Sequence, residues 1–101
     1  MEFALSQEQR LFQDSIRRFL EQHSPLERVR RAADAADCVP KDLWNGLCEM
    51  GVPGILIPEE FGGMGLGFLD AAIAYEMMGR HVAPAPFVGT SVMAPLALLL
   101  A

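Results

Sequence analysis

Apolar residues return at helical spacing in several stretches of the sequence, each opened or closed by a residue type suited to a helix end. In the first, Phe12, Ile16, Phe19 and Leu20 recur at i, i+4, i+7 and i+8, while Arg10, Asp14, Arg17 and Glu21 fall on the other side. Ser6 precedes this stretch and Gln9 stands three positions on, the spacing of a capping box, so an amphipathic helix to about His23 is predicted. Ser24-Pro25-Leu26-Glu27 repeats the start signal with Pro at the first helical position, and Leu26, Val29 and Ala33 supply a weaker stripe. A third helix is expected to begin near Pro40, gain an early negative charge from Asp42, bury Leu43, Trp44, Leu47 and Met50, and stop at Gly51.

The pattern then changes. Between Gly51 and Gly67 there are six glycines and two prolines in seventeen positions, wrapped around the apolar triplet Ile55-Leu56-Ile57, which reads as a shaped loop. Helical spacing resumes over Phe68 to Met78, with Leu69, Ile73 and Met77 on one face, Asp70 in the first turn and Gly79 as the stop. From about Phe87 the chain is apolar nearly all round, the pattern of a helix covered on several sides. Leu98-Leu99-Leu100-Ala101 offers no polar cap, so this end is expected to be a truncation, the helix continuing into or covered by further domains. The triplet is the one strand signal and is too short to found a sheet; the expected fold is an all-α, up-down bundle of about five helices with a Gly/Pro-rich loop.

Composition narrows the class. A chain of 101 residues with 51% hydrophobic and 21% charged residues is one domain with enough apolar surface for a core. At this size folding hides only roughly two thirds of the unfolded chain's surface, so a covering partner is plausible. A net charge of -5 opposes polyanions and argues against nucleic acid. The basic run Arg28-Val29-Arg30-Arg31, bracketed by Glu27, Asp34 and Asp37, reads as a solvated helix face. Cys38 and Cys48 come without a histidine pair at ligand spacing, which predicts free thiols and neither a metal site nor a disulfide framework. The start, Met1-Glu2-Phe3-Ala4, lacks a basic segment before an apolar one, so no secretory signal is expected and the location expected is the cytoplasm. Val82 to Ala101 is uncharged over twenty residues, but Pro84, Pro86 and Pro95 interrupt it and Thr90 and Ser91 sit inside it, so it reads as core or interface rather than a membrane span.

Candidate nucleophiles and bases are Cys38, Cys48, Ser6, Ser24, Ser91, His23 and His81, none in a recognisable catalytic motif. Ser6 and Ser24 read as caps, and the histidines as residues near helix C-termini, where imidazole suits the dipole. Glu59 and Glu60 are adjacent, so in an extended loop their carboxylates point apart rather than form an acid/base pair. The run Gly62-Gly63-Met64-Gly65-Leu66-Gly67 lacks both the Gly-Lys-Ser/Thr of a nucleotide loop and the strand-Gly-x-Gly-x-x-Gly-helix order of a dinucleotide site. Turn geometry and close packing are the expected reasons for its glycines.

Phe19-Leu20, the helix Leu43-Trp44-Asn45-Gly46-Leu47-Cys48-Glu49-Met50-Gly51, the run Gly54-Ile55-Leu56-Ile57-Pro58-Glu59-Glu60-Phe61-Gly62-Gly63-Met64-Gly65, then Asp70 and Glu76-Met77-Met78-Gly79, occur here in series. In that order they resemble the N-terminal helical domain of the acyl-CoA dehydrogenases, and the likeness covers nearly the whole chain. The resemblance implies a flavoenzyme of fatty acid or lipid metabolism, an oxidoreductase in which FAD takes a hydride from the β-carbon of an acyl-CoA while a glutamate removes the α-proton. It also implies that FAD and the catalytic base belong to a β-domain and a C-terminal helical domain not present here. Residues 1–101 are thus expected to be one truncated N-terminal domain, inactive alone, with no catalytic, cofactor-binding or metal-binding residue of its own. Its implied partners are acyl-CoA, the remaining domains of the same enzyme and, at full length, further subunits of a homo- or hetero-oligomer. The stretch aligning with the wall of the acyl-binding cavity follows Gly79 and includes Phe87, Thr90, Ser91 and Ala94, although Ala83-Pro84-Ala85-Pro86-Phe87 departs from the commoner family pattern. The alternative expectation is a stand-alone helical interaction module, or an inactive fragment, that binds another protein through Phe87 to Leu100 without redox chemistry.

Overall fold

The Ser6 hydroxyl accepts from the Gln9 N–H at 3.1 Å while Gln9 Oε1 accepts from the Ser6 N–H at 2.9 Å, so the expected box forms and opens α1, Gln7–His23. The computed structural model describes residues 4–35 and 39–101; Met1, Glu2, Phe3, Asp37 and Cys38, on which some sequence expectations rest, lie outside them. After α1 come α2 (Leu26–Asp34), α3 (Lys41–Glu49), short 3₁₀ turns at Val52–Gly54 and Glu59–Phe61, and α4 (Phe68–Arg80). A π-helical stretch, Val88–Met93, then runs directly into α5, Ala94–Leu100. The fold is all-helical as expected, with no strand among the described residues.

Helix α1 packs against α4, α3 against the Val52–Gly54 turn, and that turn against the π-helical stretch. Ile16 and Leu20 from α1, Leu43 and Leu47 from α3, Val52 and Ile55 from the loop and Ala74 and Met77 from α4 meet in one core. The shortest dimension is 19 Å, close to two helices of about 10 Å each. A slab this thin gives each helix one covered side, and several stripes differ from expectation for that reason. On α4 the buried residues are Ala71, Ile73, Ala74, Met77 and Met78, while Leu69 is exposed. On α2 Ala32 is buried, and Leu26 and Ala33 face outward. Phe12, Phe19, Trp44 and Met50 pack half-buried at the core's rim.

The helix ends also depart from the expected pattern in detail. Ser24 closes α1 through its backbone, its N–H donating to the Leu20 carbonyl at 2.7 Å, and its buried hydroxyl has no partner. Pro25 stands one position earlier than expected, as the N-cap of α2, and Pro40 is the N-cap of α3, which begins where expected; neither has a side-chain bond. Gly51 does end the α3 region, at φ 81°. Helix α4 runs one residue past Gly79, and the left-handed position falls instead on Val82, at φ 48°. There the Val82 N–H donates to Gly79 at 3.1 Å and the Ala83 N–H to Met78 at 2.9 Å, the paired bonds of a Schellman ending with valine where glycine is usual.

The loop between α3 and α4 is stitched by its own backbone. The N–H groups of Gly63, Met64, Gly65 and Leu66 donate to the carbonyls of Pro58, Gly54, Ile57 and Ile55 in turn. Ile55 and Leu56 are thereby buried in turns rather than in a strand. Gly63 lies so close to the Ile57 carbonyl that a Cβ there would stand 2.1 Å from its oxygen. Beyond the loop, Asp70 accepts from the Gly67 N–H at 3.0 Å and from Gln9 Nε2 at 3.4 Å, so the carboxylate that caps α4 also holds the first turn of α1.

Arg28 is more than part of a solvated face. Its guanidinium donates to the His23 carbonyl at 2.9 Å and pairs with Asp42, joining the end of α1 to the start of α3, while Arg30 and Arg31 stay exposed. The hydrogen bond from Arg28 holds the Asp42 carboxyl below its ordinary range.

Three outcomes follow from this geometry. Gly63→Ala must push the Ile57 peptide aside and should lower stability by about 1–3 kcal/mol, read from urea unfolding of the helical circular dichroism signal. Val82→Gly should raise stability by up to about 1 kcal/mol in the same assay, because relief of left-handed strain outweighs the added backbone freedom of glycine. A carboxylate with a lowered folded-state pKa stabilises above its unfolded pKa and loses that contribution as pH falls through the folded one. Unfolding scans in acid should therefore fall off more shallowly for Asp42→Asn than for the parent chain.

Candidate functional site

Pro95 has no amide hydrogen, and in a regular α-helix its ring would meet the carbonyl of Ser91. The turn before it is wider than an α-turn: the Ala94 N–H donates to Gly89, five residues back. The proline therefore bends the register of the helix without breaking it, and residues 87–100 form one continuous wall. The connector that leads into it is closed by two three-residue turns, Ala85 N–H to Ala83 at 2.8 Å over Pro84 and Phe87 N–H to Ala85 at 3.0 Å over Pro86.

The four expected wall residues separate into three environments. Phe87 is 5% exposed and packs edge-on against Tyr75 of α4, with ring centroids 5.9 Å apart. Ser91 is fully buried and its hydroxyl has no partner. Thr90 and Ala94 are exposed, the Thr90 hydroxyl bonding back to the Pro86 carbonyl, and both line a cavity of about 420 Å³ with Ile57, Pro58, Phe61 and Leu98. On the α4 side lie two further cavities, of about 440 and 380 Å³, and Phe87 lines the first. The wall is thus grooved on two sides, with Phe87 on one and Thr90 and Ala94 on the other. Its outer end is apolar: Met93, Leu98 and Leu100 are all more than half exposed, alongside Phe61 of the loop.

Tyr75 and Phe61 escaped the sequence reading. Tyr75 flanks the buried face of α4, lining grooves beside Ala71 and Met78, and an aromatic residue in the middle of a helix whose central residues are mostly aliphatic and small is the signal that could have found it.

Among the described residues, no hydrogen bond joins one candidate nucleophile or base to another. His23 Nδ1 donates to the Phe19 carbonyl at 3.0 Å and its ring stacks on Phe19, so its geometry is that of a helix end. His81 caps α4, with a buried Nε2 that has no partner. Cys48 is a free, exposed thiol, Glu59 and Glu60 face solvent, and no metal-ligating cluster occurs among the described residues. The glycine loop cannot cradle a phosphate, because the amides of Gly63 to Leu66 are already spent on loop carbonyls. The loop thus offers no phosphate cradle for a flavin nucleotide among these four amides. Among the described residues no helix is long and apolar enough to cross a membrane.

Comparison with known proteins bears directly on this architecture. The family model for the acyl-CoA dehydrogenase N-terminal domain matches residues 6–100. Acyl-CoA dehydrogenase IpdE2 of Mycolicibacterium smegmatis is 38% identical over 96 residues, 94% of this chain and 30% of the relative. Its counterpart in Mycobacterium tuberculosis is 35% identical over the same shares of each chain. Acryloyl-CoA reductase (NADH) of Anaerotignum propionicum is 34% identical over 97% of this chain and 25% of its own length. No solved structure matches. The chain spans less than a third of each of these relatives, and it belongs to the acyl-CoA dehydrogenase family as an N-terminal domain.

Proposed function

We propose that this chain is the N-terminal domain of a longer FAD-dependent enzyme that oxidises acyl-CoA thioesters to 2,3-enoyl-CoA, and that it covers the acyl-binding cavity. The observation that carries the reading is the family match over residues 6–100 together with a wall helix grooved on both sides. In this reading Phe87 contacts the acyl group on the α4 side, Thr90 and Ala94 border the wall's other groove, and buried Ser91 sets the spacing between them from beneath. The apolar lining suits a hydrocarbon chain, which is bound by shape and dispersion rather than by directed polar contacts.

The flavin and the proton-abstracting carboxylate belong to the rest of the enzyme, since no residue described here fits either role. What this domain supplies is exclusion of water from the thioester's chain and a limit on chain shape. Similarity to both dehydrogenases and an acryloyl-CoA reductase accords with that division of labour, because a wall that recognises the acyl group is indifferent to the direction of electron flow. The remaining domains of the enzyme are the partners that cover Phe61, Met93 and Leu98–Leu100, in an oligomeric, cytoplasmic flavoprotein. A second reading, an interaction module whose ridge binds another protein, is favoured by the same exposed leucines and separates from the first by the absence of flavin.

The longest product of the reading frame should show a flavin absorbance band that bleaches when one of a series of saturated acyl-CoAs is added without oxygen. A colourless product that folds as helix would sink the enzyme reading and leave the interaction module. The isolated 101-residue chain should bind no flavin, turn over no acyl-CoA and self-associate with rising concentration in sedimentation, reflecting its open apolar ridge.

A further inference from the structure

We infer that α2 is a strap fastened by one charged clasp, Arg28, and that it opens as a unit while the rest of the domain stays folded. Nine residues are too few for a helix to persist by itself in water, where stability begins at about 12–15. Pro25 caps the start of α2 without a side-chain bond, and Ala35 closes its end through an N–H donated to the Ala32 carbonyl. Among the described residues Ala32 is the one buried side chain of α2, whereas α1, α3 and α4 each bury two or more large apolar ones. Alanine has the smallest apolar side chain, so its burial contributes little to holding the helix down. Helix α2 also takes no part in the main packings that join α1 to α4 and α3 to the loop.

The remaining attachment is Arg28. Its guanidinium donates to the His23 carbonyl at 2.9 Å, at the end of α1, and to the Asp42 carboxylate in the first turn of α3. Both contacts suit a cation. The last carbonyls of a helix carry partial negative charge, and a hydrogen bond from a charged donor is roughly twice as strong as a neutral one. Half-buried Val29 lies beside the clasp, while Glu27, Arg30 and Arg31 are exposed. Arg28 is itself only half-buried and Asp42 is exposed, so dissolved salt reaches the pair and weakens it. Ionic strength is thus the signal to which the strap responds.

The test is amide hydrogen exchange of the full-length protein, followed by mass spectrometry on peptides from each helix. Peptides of α2 should exchange about tenfold or more faster than those of α1 and α4, and about two- to threefold faster again when sodium chloride is raised from roughly 0.05 to 0.5 M. Arg28→Met keeps the apolar stem and the helix propensity but removes the clasp. It should speed exchange in α2 by a further tenfold or about that, leave α1 and α4 unchanged, and remove the salt response. Asp42→Asn should give a smaller rise, because the contact with the His23 carbonyl remains. Exchange of α2 in step with α1 and α4 in the parent protein overturns the strap. Unchanged α2 exchange in Arg28→Met, an equal rise in all three helices, or a salt response as large as the parent's overturns the clasp.

Discussion

The arrangement of this domain depends on a backbone that satisfies itself. Between α3 and α4 the chain turns repeatedly, and consecutive amides from Gly63 to Leu66 are consumed by carbonyls between Gly54 and Pro58. That stitching needs Gly63 against Ile57 at a separation no side chain permits. Once folded, the loop buries Ile55 and Leu56, presents Val52–Gly54 as a platform for the helix over residues 87–100 and ties up the amides of Gly63 to Leu66. The platform fixes where the wall lies, and the wall carries the grooves. The glycine-rich run is therefore an internal scaffold, and its resemblance to a phosphate loop ends at composition.

Much of this was legible in the residues. The Ser6–Gln9 box, the stop at Gly51 and the place of Asp70 in the first turn of α4 each rest on short-range chemistry, and each appears as expected. Periodicity located the helices but misjudged their faces: it grouped Leu69 with Ile73 and Met77, whereas α4 turns its small residues Ala71 and Ala74 inward. Small side chains let α1 approach closely, a preference that apolar periodicity does not register. Gly46 shows the same principle in α3, where a Cβ would stand 2.3 Å from the Phe19 ring, so a residue that weakens a helix in isolation permits the packing of two.

The candidate site was less legible because its geometry depends on register. Pro95 read as an interruption, yet the helix absorbs it by widening one turn, and that adjustment assigns Thr90 and Ala94 to one side of the wall and Phe87 to the other. Neither the wider turn nor the pairing of Tyr75 with Phe87, twelve positions apart, follows from the local pattern. The resemblance pointed to the stretch after Gly79, while the distribution of its side chains between the two sides of the helix had to come from three dimensions.

The connector between α4 and the wall has a mechanical meaning. Valine in the left-handed position, two prolines with fixed φ and a three-residue turn over each leave few soft torsions between Val82 and Phe87. Such a joint does not act as a hinge. Any tilt of α4 is passed to residues 87–100 as a rigid lever passes motion, so the two elements move together. A domain built this way changes its surface by exchanging exposed side chains while the joint that sets their spacing is kept.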